Sequence, residues 1–136
     1  MMEIYEAMGT QRAVRRLKPD PIPDPVLTRV LPAASWAPTG GNVQPFRIIT
    51  VQGPQKLSVL QALYEQEWAR YTQDMRAEGE GLALPRQKML RAGDYLAAHL
   101  DQVPVLAVFC FNPALMAITD ADLGRPSVVG GGSVYT

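Results

Sequence analysis

Four cations, Arg12, Arg15, Arg16 and Lys18, fall within seven consecutive positions just ahead of Pro19. Guanidinium and ammonium groups clustered this way hold anions, because each brings a charge-assisted hydrogen-bond donor into one small volume. A phosphate is one such anion; an electron-accepting ring that turns negative on reduction is another. At an effective dielectric near 20, a cation about 4 Å from a developing negative charge is worth on the order of 4 kcal/mol, enough to move a redox equilibrium. A structural explanation competes: a solvated basic segment at a helix end complements the negative pole of its own helix. The heptad alone does not choose between the two.

A second segment, Trp36-Ala-Pro-Thr-Gly-Gly-Asn-Val-Gln-Pro-Phe46, carries a different set of groups. Its glycines allow the backbone to approach a flat ligand closely, while the Thr39 hydroxyl and the Asn42 and Gln44 amides supply donors and acceptors for polar ring edges or a hydroxylated chain. The same composition also serves an ordinary helix-to-strand turn, with Asn42 bonding its own backbone.

The remaining reactive side chains point away from chemistry of their own. His99 near a helix end is a dipole partner or a partly exposed side chain. Cys110 lies in an apolar run and reads as packing, and as a single cysteine it permits neither an internal disulfide nor a cysteine cluster for a metal. Trp68 and Tyr71 read as core or lid-anchoring aromatics, and Glu78 and Glu80 as a solvated loop. Gly130-Gly-Gly-Ser133 lacks the Gly-Lys-Ser/Thr ending of a nucleoside-triphosphate loop. Thirteen basic residues balance thirteen acidic ones, so no global field favours nucleic acid or an anionic membrane. With 136 residues, 47% hydrophobic and 19% charged, the chain has the profile of one globular domain. Its reducing-compartment cysteine usage and the absence of a long apolar stretch predict a cytoplasmic protein with no membrane partner.

The elements that must position these groups follow from pattern. Ile4, Tyr5 and Met8 recur at helical spacing and predict a short helix from residue 2 to about 9, leading into the arginines. Pro19, Pro21 and Pro23 impose an extended crossing. Asp24 is placed to cap the next helix, with Pro25 at its first position and Pro32 inside it, where a kink is expected. Phe46–Val51 reads as a strand stopped by Gly53-Pro54. Leu57, Leu60, Leu63, Tyr64, Trp68 and Tyr71 trace one face of a helix from about 55 to 73. Glycines and Pro85 break the pattern, making 76–85 a candidate lid loop, and a helix from about 85 to 100 turns Met89, Leu96 and Leu100 inward. Pro104 to Phe111 is nearly all apolar, as expected of a strand buried on both faces. Ser133 caps a helix that Val134, Tyr135 and Thr136 begin. Helices and strands mix without regular βαβ alternation, so the fold class is α+β.

Taken together, Arg-x-x-Arg-x-Leu-Lys-Pro, a short helix, and Ala-Pro-Thr-Gly-Gly-Asn-x-Gln-Pro-Phe entering a strand resemble the FMN-dependent nitroreductase family. The resemblance extends through Leu96–Cys110, similar to the family's helix and buried strand after its variable lid, to Gly132-Ser-Val-Tyr135, similar to the start of its central helix. It implies an α+β nitroreductase fold, helices packed on a small, mainly antiparallel sheet, in one partial domain over 1–136. It also implies that Arg12, Ala13 and Arg15 lie along FMN, and that Pro38, Thr39, Gly40 and Asn42 reach the flavin from the other subunit of a homodimer, with Gln44 ordering the loop. The implied reaction takes hydride from NAD(P)H through the flavin to an electron-poor acceptor such as a nitroaromatic or quinone, with no dedicated nucleophile or acid–base pair. Gln11 stands where many members carry arginine and Ala13 where many carry serine. The family continues beyond the point at which this sequence stops, so a truncated, non-catalytic remnant with weak or no flavin binding is the alternative expectation. A small nucleic-acid binder using the four cations is a third, disfavoured by the neutral charge.

Overall fold

The computed structural model describes residues 3–125 and 127. Among the described residues there are seven principal elements: α1 (Ile4–Thr10), α2 (Asp24–Ala34), β1 (Phe46–Val51), α3 (Pro54–Tyr71), α4 (Gln73–Ala77), α5 (Leu84–Ala98) and β2 (Leu106–Phe111). They divide between two compact units, one built from Met1–Pro19 and Pro54–Val103, the other from Asp20–Gly53 and Pro104–Thr136. This is an α+β chain. The expected helix at Val134–Thr136 lies outside the described residues.

The first unit is helical and holds the core. α3 packs against α5, against α4, and against the 3₁₀ turn Leu100–Gln102 that follows α5. Leu57 on α3 is 2% exposed. Met75, Leu82 and Leu90 form a buried cluster with Trp68 and Met89 packed on it. The expected face of α3 is only partly correct: Leu57 and Trp68 turn inward, but Leu63 and Tyr71 remain exposed. The face is turned because two polar residues occupy the buried stripe with their bonds satisfied. Thr72, fully buried, donates through Oγ1 to the Trp68 carbonyl at 2.7 Å, and the Gln61 Oε1 accepts from the Asp101 N–H at 3.1 Å. A satisfied hydroxyl or amide can replace an apolar side chain at such a position.

Residues 76–85 are more ordered than their composition suggests. α4 runs to Ala77, a 3₁₀ turn covers Gly79–Gly81, and Leu82 is buried. Glu78, expected to be merely solvated, pairs with Arg86 at 2.8 Å.

The second unit contains α2 and an antiparallel pair, β1 with β2, in the register Phe46 opposite Phe111 and Val51 opposite Leu106. The Pro23 carbonyl accepts from the Val26 N–H at 2.8 Å, so the cap of α2 falls on Pro23. Asp24 is therefore the first helical residue, acting on the helix dipole without making a capping bond. Pro32 sits inside α2, two residues before its end. β1 matches its expected span and ends before Gly53, whose φ of +92° provides the turn. β2 departs from expectation. Half-buried and exposed residues alternate along it, with Phe109 47% and Phe111 40% exposed. Among the described residues the sheet has two strands, which give too little cover to bury both faces.

Candidate functional site

The arginine segment belongs to the first unit and the Pro38–Gln44 loop to the second. α1 ends at Gln11, whose N–H bonds the Ala7 carbonyl, and the chain continues extended into the arginines. Arg12 donates through Nη1 to the carbonyls of Gly9, at 3.1 Å, and Gln11, at 2.6 Å. Gly9 lies in the last turn of α1, so one donor of Arg12 satisfies a helix-end carbonyl, as the structural explanation of the heptad requires. Arg15, half-buried, donates to the Ala13 carbonyl at 3.3 Å. Among the described residues, none of Arg12, Arg15, Arg16 and Lys18 is in an ion pair; the pairs that form involve Arg70, Arg76, Arg86 and Arg125. Each guanidinium has five N–H donors, and one or two local bonds leave the charge and most donors to an anion.

The loop is built around left-handed backbone. Gly41 (φ 60°), Asn42 (φ 54°) and Gln44 (φ 47°) all lie there, two of them carrying a Cβ. Such positions persist where the surroundings hold them, and here Gln44 does so. Its N–H and its Nε2 donate to the Thr39 Oγ1 at 3.0 and 3.2 Å, and Nε2 also donates to the Asn42 Oδ1 at 3.1 Å. Gly40–Asn42 form a 3₁₀ turn, with the Asn42 N–H on the Thr39 carbonyl at 2.9 Å. Pro45 is buried, and its carbonyl accepts from the Asn112 N–H at 2.7 Å, which fixes the loop exit to the end of β2. Pro38, Thr39, Gly40, Asn42 and Gln44 are thereby brought into one compact turn. The Asn42 NH₂ takes no part in that internal bonding, and a glycine flanks it on the ligand-permissive Gly40–Gly41 backbone, where a Cβ at Gly40 would meet nothing within 4 Å.

Each segment has its own chemistry: the cations of the arginine segment suit an anion, and the amide-bearing turn suits the polar edge of a ring. Among the described residues no three His, Cys, Asp or Glu side chains come together. No helix among the described residues is long and apolar enough to cross a membrane. A cleft of about 650 Å³ runs along α2 past Val26, Val30, Pro32 and Trp36 and shares no residue with the loop.

Pattern reading missed one polar cluster. The Trp68 Nε1–H donates to the Asp94 Oδ1 at 2.7 Å, Arg76 pairs with the same carboxylate, and the Arg76 Nε donates to the Thr72 Oγ1 at 3.0 Å. Burial raises the affinity of the Asp94 carboxyl for its proton, but the bonds from Arg76 and Trp68 outweigh it and hold the carboxyl below the ordinary range. The signal was an indole N–H on an inward face, which needs an acceptor. The cluster fastens α4 to α3 and α5.

Against known proteins, the nitroreductase family model matches residues 9–128, from the end of α1 through the arginine segment and the loop to beyond β2. The chain belongs to the nitroreductase family. It is 28% identical over 105 residues to iodotyrosine deiodinase 1 of Rattus norvegicus, covering 76% of this chain and 35% of that protein. It is 31% identical over 103 residues to iodotyrosine deiodinase of Danio rerio, covering 75% of this chain and 33% of that protein. A shorter match, 39% identical over 54 residues, links it to an NADH dehydrogenase of Thermus thermophilus, covering 40% of this chain and 26% of that one. The chain thus spans about a third of the length of the curated relatives it matches.

Proposed function

We propose that this chain binds flavin as part of an FMN-dependent oxidoreductase that passes hydride from NAD(P)H to an electron-poor acceptor. The observation that carries the reading is a segment of uncompensated arginines together with a glutamine-locked turn, within a chain of the nitroreductase family. When bound, FMN supplies hydride uptake and delivery. Arg12 and Arg15 hold its phosphate and the pyrimidine side, where negative charge grows on reduction, and Ala13 leaves room for the ring between them. Pro38, Thr39, Gly40 and Asn42 face the flavin of a second copy, so the site is shared across a homodimer. Gln44 keeps that turn rigid, and residues 76–85 act as the lid that shapes access for a small-molecule acceptor.

Two acceptor classes follow. Nitroaromatics and quinones suit a flavin held beside cations. Halogenated phenols are favoured by the iodotyrosine deiodinases among the relatives, and NADH as the reductant by the Thermus relative's name. The test is FMN titration of the chain followed by anaerobic turnover with NADH or NADPH against a nitroaromatic, a quinone and iodotyrosine. Stoichiometric binding that Arg12→Gln weakens at least tenfold supports the reading. Absence of FMN binding, or binding indifferent to Arg12 and Arg15, overturns it.

A further inference from the structure

Arg16, Tyr95 and His99 form a three-layer stack inside the first unit. The guanidinium carbon of Arg16 lies 3.9 Å from the centroid of the Tyr95 ring. The His99 ring stacks on the same ring, with centroids 4.0 Å apart and planes 14° from parallel. Two planar groups this close to one ring centre must occupy its opposite faces. His99, at the C-cap of α5, is fixed in turn by a 2.7 Å bond between its Nδ1 and the Tyr95 carbonyl.

From this stack we infer that Tyr95 is a positioning residue: it holds the Arg16 guanidinium on its ring and thereby fixes the arginine segment on α5, ready for an anion. The inference rests on the flavin reading for what the segment binds. It rests on the stack alone for how the segment is held. Among the described residues, no hydrogen bond or ion pair ties residues 11–19 to α3 or α5; Arg12 and Arg15 bond only carbonyls of the segment itself and of the end of α1. Such a segment, extended and running into three alternate prolines, has no regular structure of its own to order it. The cation–π contact supplies the missing anchor, and a binding segment ordered beforehand binds more tightly because less freedom is lost on association. Among the described residues no hydrogen bond or ion pair takes the N–H donors of Arg16, so it can sit over the ring and still face an anion. His99 serves as the back wall that keeps the Tyr95 ring from turning away.

Hydrogen exchange and FMN titration of the unmodified chain, Tyr95→Leu, Tyr95→Phe, Arg16→Gln and the double variant Tyr95→Leu/Arg16→Gln test this. Tyr95→Leu and Arg16→Gln should each speed exchange at residues 11–18 about three- to tenfold and weaken FMN by a similar factor. The double variant should be no worse than either single one, and Tyr95→Phe, which keeps the π-face, should match the unmodified chain. Unchanged exchange at 11–18 overturns the tether, and a loosened segment with unchanged FMN affinity overturns the positioning role. If Tyr95→Leu does not fold, Arg16→Gln, at an exposed side chain, decides. Failure of the unmodified chain to bind FMN overturns the flavin reading and the positioning role with it, whereas the tether itself is still judged by exchange in the flavin-free protein.

Discussion

At Gly93, a single missing carbon sets the packing of the helical unit. A Cβ built there would lie inside the contact distance of three Trp68 ring carbons, and that ring is held by its bond to Asp94. Alanine is worth about 1 kcal/mol over glycine within a helix, whereas overpacking against a rigid neighbour costs about 1–3 kcal/mol. The clash wins, so Gly93→Ala should lower stability by about 1–2 kcal/mol in urea titration despite its better helix propensity. A more stable Gly93→Ala chain would mean the indole can move. Asp94 beside it sets a pH dependence. Burial raises its carboxyl affinity and the Arg76 and Trp68 bonds lower it further than burial raises it, leaving the folded-state value below the ordinary 3.8. A group lowered on folding stabilises the fold above its unfolded value, and that contribution fades as pH falls through the folded one. Asp94→Asn should therefore flatten the loss of stability below about pH 4 while leaving the indole an acceptor; an unaltered acid limb would place the effect elsewhere.

At the level of elements, α3 is where pattern and packing diverge most, and the divergence can be measured. Leu57→Ala should cost about 2–5 kcal/mol because the side chain is 2% exposed, whereas Leu63→Ala, at 57% exposed, should change stability by less than about 0.5 kcal/mol. Equal losses would restore the face that hydrophobic spacing alone assigns. Spacing located α1, β1, α3 and α5 to within a few residues, because breakers such as Gly53-Pro54 and Pro85 act locally and leave their mark in sequence. It misassigned what depends on partners distant in the chain. Gln61 is inward because of the Asp101 N–H, 40 residues on. β2 looked doubly buried because an apolar run records only what a strand could bury. The candidate site divides the same way. The loop's glycines and amides were visible in sequence, and the resemblance implied an ordering part for Gln44, but the Tyr95 ring beneath Arg16 lies 79 positions away and no local pattern announces it.

For the whole molecule, the distribution of buried surface is uneven. Leu57, Met75, Leu82, Leu90, Ala97, Leu100 and Val103, the buried hydrophobic residues of the described chain, all belong to the helical unit. Both units expose apolar side chains, Tyr5 and Tyr71 in the helical one and Val26, Val30, Trp36, Ile49 and Phe109 in the second, Trp36 at 81%, but among the described residues the second has no buried hydrophobic core to set against them. Two strands and one helix with so little buried surface are marginal on their own. The shared site proposed above calls for a second copy, and a second copy would cover surface that one chain leaves open. Burying an indole of roughly 200 Å² at about 25 cal/mol per Å² contributes on the order of 4 kcal/mol, so Trp36 alone can shift the balance between one chain and two. Native-state hydrogen exchange at two protein concentrations separates the units. Amides of α3 and α5 should keep the same protection at both, because their core is internal, whereas amides of β1 and β2 should gain protection as concentration rises. Trp36→Ser should remove that gain and leave the helical unit unchanged. Equal, concentration-independent protection in both units would mean that the second unit is stable in a single chain, and that its exposed apolar side chains need no partner.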